Sequence, residues 1–403
     1  MPKILITGNG FDLSFGLPTG YSDFLKICKK LQSSKEFDWS DLKDDIIVLK
    51  NSENLPNSGF LNFETFREKL NENTWFRYLS REYGINTWID FEKHIEKALS
   101  IILAILDDIK VETFLKNGRY PIHDEISYKQ GLDETQYEIY LTLIDFKIIR
   151  YDEFDQIKLN PTFLKSIEEF YVDLEKEKLY EFILNELNIF TSLFSDYLSN
   201  IVLPLTELSN GTIRIDLLKQ IDYHFTFNYT PTFSRLISKS IPTTYIHGEL
   251  EKSNIVLGIN DWEQTINDRS SLIPFTKYFQ KLYAGINLKF VDEIENEDEL
   301  YQFFFWGHSL DKSDALYINE VFNKVDNINK EATTGKIIVI YHSDSSRFSI
   351  IKNLIEIRGS EDVLRKQRDG NLVFLHCESN ELKKELSVPM TNRFDGLDIL
   401  YAR

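Results

Sequence analysis

The chain has 403 residues, with 64 acidic against 46 basic side chains, a formal net charge of -18 at pH 7, and 14% aromatics. Such a chain is globular and long enough for roughly two to three structural units. It excludes disordered and fibrous classes, and the acidic balance without any Lys/Arg block argues against nucleic acid as a partner. Its two cysteines, Cys28 and Cys377, form no CxxC pair, which excludes a disulfide framework or thiolate metal site within one chain and fits a reducing cytoplasm.

The start "MPKILITG" lacks the features of a signal peptide, and the longest apolar run, "ALSIILAIL" between Lys97 and Asp107, is about half the roughly 20 residues a bilayer requires. A cytoplasmic protein without membrane contact is expected.

The first predicted element is a strand, "KILIT" (3–7). It runs at once into "GNGFDLSFGLPTGY", where Gly8, Gly10, Gly16 and Gly20 account for four of the chain's 17 glycines. A strand that feeds a glycine-rich turn and then a helix brings free backbone N–H groups to the strand's carboxyl end, where open α/β sheets bind phosphates. The following helix starts near "DFLKICKKL", with Ser22 or Asp23 as its cap. The spacing is not the dinucleotide fingerprint, and a tight turn needing positive φ, punctuated by Pro18, is an alternative of equal weight.

From 29 to 210 the dominant period is helical. Trp88, Phe91, Ile95, Leu99, Ile102 and Leu106 make one apolar stripe, and Ser166 to Leu203 continues with helix-forming charges and an apolar face. Thr87-Trp88-Ile89-Asp90 reads as a capping box, which gives Asp90 a structural role. Glu92 and His94 fall off the stripe and read as solvated.

Unbroken β-branched or aromatic runs then recur at 223–227, 243–247, 254–258, 302–306, 336–341 and 372–376, with helical segments at 231–238, 313–325 and 346–357. Unbroken runs are how strands covered on both faces look. The predicted fold class is α/β: a doubly wound, mostly parallel Rossmann-like sheet formed by 1–28 and 211–403, interrupted by a mainly α-helical insertion, 29–210. The acidic stretch 291–300 reads as a solvated loop or helix start.

Polar clusters finish three of these strands, where a doubly wound sheet builds its crevice. They are Thr226, Asn228, Tyr229 and Thr230; His247 and Gly248; and Gly307, His308, Ser309 and Asp311. Asn228 has a second reading as a cap for the helix near Pro231, and its N-x-T sequon has little force without export. His247, by default a hydrogen-bonded structural histidine, gains weight as a general base from its place beside the Asn228 strand end, since imidazole has an ordinary pKa of ~6.5.

Gly307 to Asp311 resembles the start of a nucleophile elbow but has Asp where the last glycine belongs, which disfavours a serine hydrolase. Ser313 or Asp314 reads as a helix cap, and His308 and Ser309 as ribose or phosphate contacts. His342 to Ser346, "HSDSS", offers caps first and an adenosine contact second. No histidine pair or carboxylate set has metal-ligand spacing, so no metal is expected.

Taken together, "GNGFDLSFGLPTGYSDF", "WIDFE", "FNYT", "IHG" and "WGHSLDKSD" resemble the AbiH family of phage abortive infection across most of the chain. The order of glycine loop with G-L-P, then T-x-N, then H-G is also similar to the sirtuin-like NAD-consuming fold. That resemblance implies that Gly8, Gly10, Asp12 and Pro18 lie against NAD, that Asn228 positions the nicotinamide ribose or water, and that His247 is the base. The same expectation adds Asn9, Phe11, Gly16, Thr19 and Tyr21 from the loop, and Thr226, Gly307, His308, Ser309 and Asp311 from the strand ends, to the cofactor-binding set.

Thr19-Gly20-Tyr21 replaces the Asp-Phe-Arg of deacylating sirtuins and the four zinc cysteines are missing, which argues against protein deacylation. Cleavage of the nicotinamide–ribose bond needs less. It passes through an oxocarbenium-like state and the pyridine leaves neutral, so one base and one positioning amide suffice.

The expected activity is therefore that of an NAD glycohydrolase which depletes the cofactor on phage infection. NAD is its substrate, and a phage-derived trigger protein and a homo-oligomer are the expected partners. A nucleotide-sensing or protein-interaction module without turnover is the alternative; a nuclease-type toxin is disfavoured by the charge.

Overall fold

The computed structural model describes residues 2–82, 88–108, 133–151, 157–168, 171–209, 215–260, 270–286, 290–291, 301–326 and 335–387. Its centre is a six-stranded sheet: β1 (Lys3–Thr7), β2 (Tyr223–Thr226), β3 (Thr243–Tyr245), β4 (Gln302–Trp306), β5 (Lys336–Tyr341) and β6 (Leu372–His376). Every pairing is parallel and the spatial order is β3-β2-β1-β4-β5-β6. This is the doubly wound order whose switch point falls between the first and fourth strands.

One register row crosses the whole sheet near its carboxyl edge: Tyr245, Thr226, Thr7, Trp306, Ile340 and Leu375. The residues that immediately follow this row are therefore neighbours in space, however distant in sequence.

Side chains alternate across the sheet. Leu5, Phe304, Trp306, Ile338 and Ile340 point to one face and Ile4, Ile6, Phe303, Phe305, Ile337 and Val339 to the other. The second face is covered by helices Ala315–Asp326 and Asp344–Arg358 through Ile318, Val321, Phe322, Ile350 and Leu354. With both faces buried, alternation of polarity is absent and the strands read as continuous apolar runs. Each such fully buried side chain contributes roughly 1.5–3 kcal/mol.

The first face is covered by the insertion. Helix α1 (Asn9–Ser14) and helix α2 (Tyr21–Ser33) follow β1, and α2 runs through position 28, the predicted edge of the sheet domain. Phe24 of α2 packs edge-on against Phe194 and Tyr197 of the long helix Lys176–Tyr197, and Tyr21 lies 4.3 Å from Phe91 of helix Trp88–Asp108. The insertion and this face of the sheet thus share one hydrophobic core.

Two expectations are corrected. The run 254–258 is not a strand: Ile255, Val256 and Leu257 are buried, but the segment is held by a single backbone bond from Val256 N–H to the His247 carbonyl. The helix expected over Ser166 to Leu203 begins only at Lys176; before it, Leu164–Glu168 pairs antiparallel with Tyr171–Leu174. A second small hairpin joins Ile149–Tyr151 to Ile157–Leu159. Residues 292–300 of the acidic stretch, Thr87 of the capping box and the Leu106 side chain lie outside the described residues.

Candidate active site

Two loops meet at the switch point. Gly8 N–H donates to the Trp306 carbonyl at 3.1 Å and Gly10 N–H to the Gly307 carbonyl at 2.8 Å. A Cβ on Gly8 would come within 2.8 Å of the Gly307 oxygen, and one on Gly10 within 2.8 Å of the Gly307 Cα. Gly307 has φ +66 and abuts the Phe11 amide. These glycines are required by backbone-to-backbone packing between the β1 and β4 loops. The glycine-rich turn was expected to offer free backbone amides, but those of Gly8 and Gly10 are taken by the carbonyls of Trp306 and Gly307. The turn is also shorter than expected, since α1 starts directly at Asn9.

Around this junction lies a cavity of ≈ 460 Å³, a size typical of small-molecule sites. Strand ends supply most of its wall: Gly8 and Asn9 after β1, Asn228 after β2, His247 after β3, Gly307 and His308 after β4, Tyr341 and His342 of β5 and its loop. Glu92, Phe194 and Leu198 of the insertion close one side.

Asn228 is held by a relay that starts in the sheet. The Thr7 hydroxyl donates to the Thr226 hydroxyl at 2.8 Å, Asn228 N–H donates to the same Thr226 oxygen at 3.1 Å, and the Asn228 amide donates to the Gly8 carbonyl at 3.0 Å. Its amide thus spans two strand ends. The capping alternative is corrected: the helix Thr232–Leu236 has Pro231 at its cap position.

His247 is 7% exposed. Its Nε2 lies 3.4 Å from Asp314 Oδ1, and its Nδ1 is buried without a hydrogen-bond partner. With the Nε2 proton directed at the carboxylate, Nδ1 keeps its lone pair. Burial, reinforced by the Lys281 charge, pushes the imidazole down to about 3, against the pull of Asp314, so it is neutral at physiological pH.

His308 approaches the same carboxylate, with Nε2 3.5 Å from Oδ2, while its Nδ1 accepts Leu310 N–H at 2.9 Å. Burial alone would raise Asp314, but the His247 hydrogen bond, the adjacent His308 imidazole and the Lys277 charge outweigh it and hold the carboxyl well below the usual range. Phe227 packs edge-on against both imidazoles, at 5.3 Å and 4.3 Å between ring centroids, and fixes their spacing.

Glu92 is not solvated. It is paired with Lys277 and accepts from Asn260 at 3.0 Å, and its side chain is 11% exposed. Burial raises its carboxyl and the adjacent Lys277 charge opposes that rise. His94 is likewise engaged, 3.2 Å from Glu82.

Of the expected contact residues, Gly8, Asn9, Gly10, Asp12, Thr19, Asn228, His247, Gly307, His308 and Ser309 line the one cavity. The others do not. Phe11 packs between Phe15, Phe233 and Trp306, and Tyr21 among Phe24 and Phe91. Gly16 ends α1 with φ +74, and the Pro18 carbonyl accepts the Tyr197 hydroxyl at 2.7 Å, so this part of the loop anchors the insertion. Thr226 acts through Asn228. Asp311 caps the turn Lys312–Asp314 by accepting Ser313 N–H at 3.0 Å, the part expected of Ser313 or Asp314.

Asp314, Glu92 and Lys277 are the site residues that sequence reasoning missed. Ser343 caps Asp344–Arg358 as expected, while His342 and Ser346 reach the cavity wall. Among the described residues no group of three or more His, Cys, Asp or Glu is arranged to hold a metal ion, and no helix is long and apolar enough to cross a membrane.

A Rossmann-like α/β sheet carries a buried imidazole–carboxylate pair and an anchored amide in its switch-point crevice, the place where open α/β sheets bind their ligands. The family profile for bacteriophage abortive infection AbiH matches residues 4–334, which takes in the glycine loop, the insertion and the strand-end residues after β1 to β4. The chain belongs to the AbiH family, and the family assigns it a role in phage abortive infection. Comparison with curated proteins found no match.

Proposed function

We propose that this protein is an abortive-infection effector that hydrolyses NAD at the nicotinamide–ribose bond. The observation that carries the reading is the unpartnered Nδ1 of His247, a residue that lines the same cavity as Asn228 and is backed by Asp314 on the opposite ring nitrogen. A neutral imidazole held this way accepts a proton from water or a ribose hydroxyl, and the carboxylate stabilises the imidazolium that forms. Asn228, tethered to Gly8, orients the nucleophile. The order of glycine loop, T-x-N and H-G along the chain, similar to that of sirtuin-like NAD-consuming proteins, supports NAD as the substrate.

The test is release of nicotinamide from NAD by the purified protein, followed by chromatography and repeated in infected-cell extract. The reading predicts release by the native protein and a loss of about 10²-fold or more in His247→Ala and Asn228→Ala. Absence of release in both settings overturns it.

The low basicity of His247 favours a second reading, a nucleotide-binding module of the defence system without turnover. Retained NAD binding with no nicotinamide release from the native protein selects that one.

A further inference from the structure

Four carboxylates line the cavity among the described residues, and three of them are compensated. Asp314 faces two imidazoles, Glu92 holds Lys277 and the Asn260 amide, and half-buried Asp23 accepts Gly20 N–H at 3.2 Å. Asp12 differs. It is 1% exposed, one oxygen accepts the Thr230 hydroxyl, and the other, Oδ1, is buried without a partner. Thr230 is itself held by the Thr232 hydroxyl at 3.1 Å, so the carboxylate is fixed in direction. No cationic side chain among the described residues forms an ion pair with it.

A buried carboxylate with an unpaired oxygen is costly unless a positive group arrives to meet it. We propose that Asp12 is the negative charge that receives the cationic end of the dinucleotide, so that the site selects the oxidised, pyridinium-bearing form over the reduced one. This assignment rests on the NAD reading above and names what that site recognises. Asn228 shares the immediate surroundings of Asp12, which puts the charge beside the amide that positions the sugar.

The same charge serves the bond-breaking step. The electron pair of the carbon–nitrogen bond leaves with the ring, which becomes neutral nicotinamide, and the positive charge moves to the sugar carbon. A water oxygen then bonds to that carbon and its proton goes to His247. Asp12 stays ionised and forms no bond; it faces the positive charge before and after the transfer.

The experiment is calorimetric titration of the full-length protein with carba-NAD, which keeps the pyridinium but resists hydrolysis, and with its neutral dihydropyridine form. The native protein is expected to bind the cationic probe about tenfold or more tightly than the neutral one. Asp12→Asn, and Asp12→Ser as a second variant, are expected to bind both probes alike, with thermal melting to confirm folding. Equal binding of the two probes by the native protein, or a preference that survives in the folded variants, overturns the role of Asp12 while leaving the NAD site standing. Binding of neither probe by the native protein overturns the NAD site and this assignment with it.

Discussion

The Nε2 of His247 and the Oδ1 of Asp314 face each other at 3.4 Å, although the first lies two residues beyond a short edge strand and the second closes a turn after β4. Replacing the carboxylate by an amide frees the imidazole to choose its tautomer and leaves one acceptor oxygen where His247 and His308 had one each. Asp314→Asn is expected to lower the rate of nicotinamide release by about 10²-fold or more while changing NAD affinity only a few-fold. Steady-state kinetics beside calorimetric binding check this split.

Gly307 carries a second prediction. Its φ of +66 and its contact with the Phe11 amide leave no room for a methyl group, whereas Gly370, with φ +79, has open space around it. Gly370→Ala is expected to cost about 1–2 kcal/mol from backbone strain alone. Gly307→Ala should cost several-fold more, or prevent folding, because the β1 and β4 loops must separate. Urea melts of the two variants measure the difference.

Glu92 and Lys277 make a third. Truncating one member of a buried ion pair leaves the other uncompensated, so Glu92→Ala is expected to destabilise by about 3–5 kcal/mol. Replacing both, as Glu92→Met with Lys277→Met, should cost less than the single change. Chemical denaturation decides it, and equal effects would contradict a buried pair.

The buried histidines set the pH dependence. His224, between the hydroxyls of Thr7 and Thr243 and stacked on Phe233, is pushed down by burial to about 3, as is His247. Burial also lowers His308, against Asp314 and Asp311. A histidine with a folded pKa below its unfolded ~6.5 contributes fully above pH 6.5 and loses about 1.4 kcal/mol per pH unit as pH falls from there toward 3.

Asp12 has the opposite sign. Burial raises it to about 6, against the Thr230 hydrogen bond and the neighbouring Thr232 and Asn228 side chains. Its cost is absent below about pH 4 and complete above pH 6. Asp12→Asn is therefore expected to stabilise the protein at pH 7.5 by up to about 3 kcal/mol, with the gain shrinking toward pH 5. Thermal melts across pH 5 to 8 show both trends.

The sheet was legible because strands covered on both faces have a conspicuous composition: "KIIVIY" and "QFFFW" contain no polar interior residue. The same signal misled at "NIVLG", which is buried for a different reason, packing behind the His247 loop. The hairpin Leu164–Glu168 with Tyr171–Leu174 was hidden by charges that suit a helix equally well.

At the site, Asn228 and His247 stood out because each is a polar residue at the end of an apolar run that reads as a strand. Asp314 was obscured by Asp311 and Ser313, three residues with equal capping chemistry in one turn. Glu92 was illegible because its partner is 185 positions away and only the folded chain brings Lys277 to it. The glycines were read as a phosphate-binding turn or a tight turn, and what approaches Gly8 and Gly10 is the β4 loop.

The central claim, that the crevice holding Asn228 and His247 destroys NAD during infection, is tested most directly in cells. NAD is to be measured by mass spectrometry through a phage infection in cultures carrying the native protein or His247→Ala at equal abundance. A collapse of the NAD pool that coincides with growth arrest in the native culture, and is absent in the variant, is the predicted result. Arrest of the native culture with its NAD pool intact would contradict it.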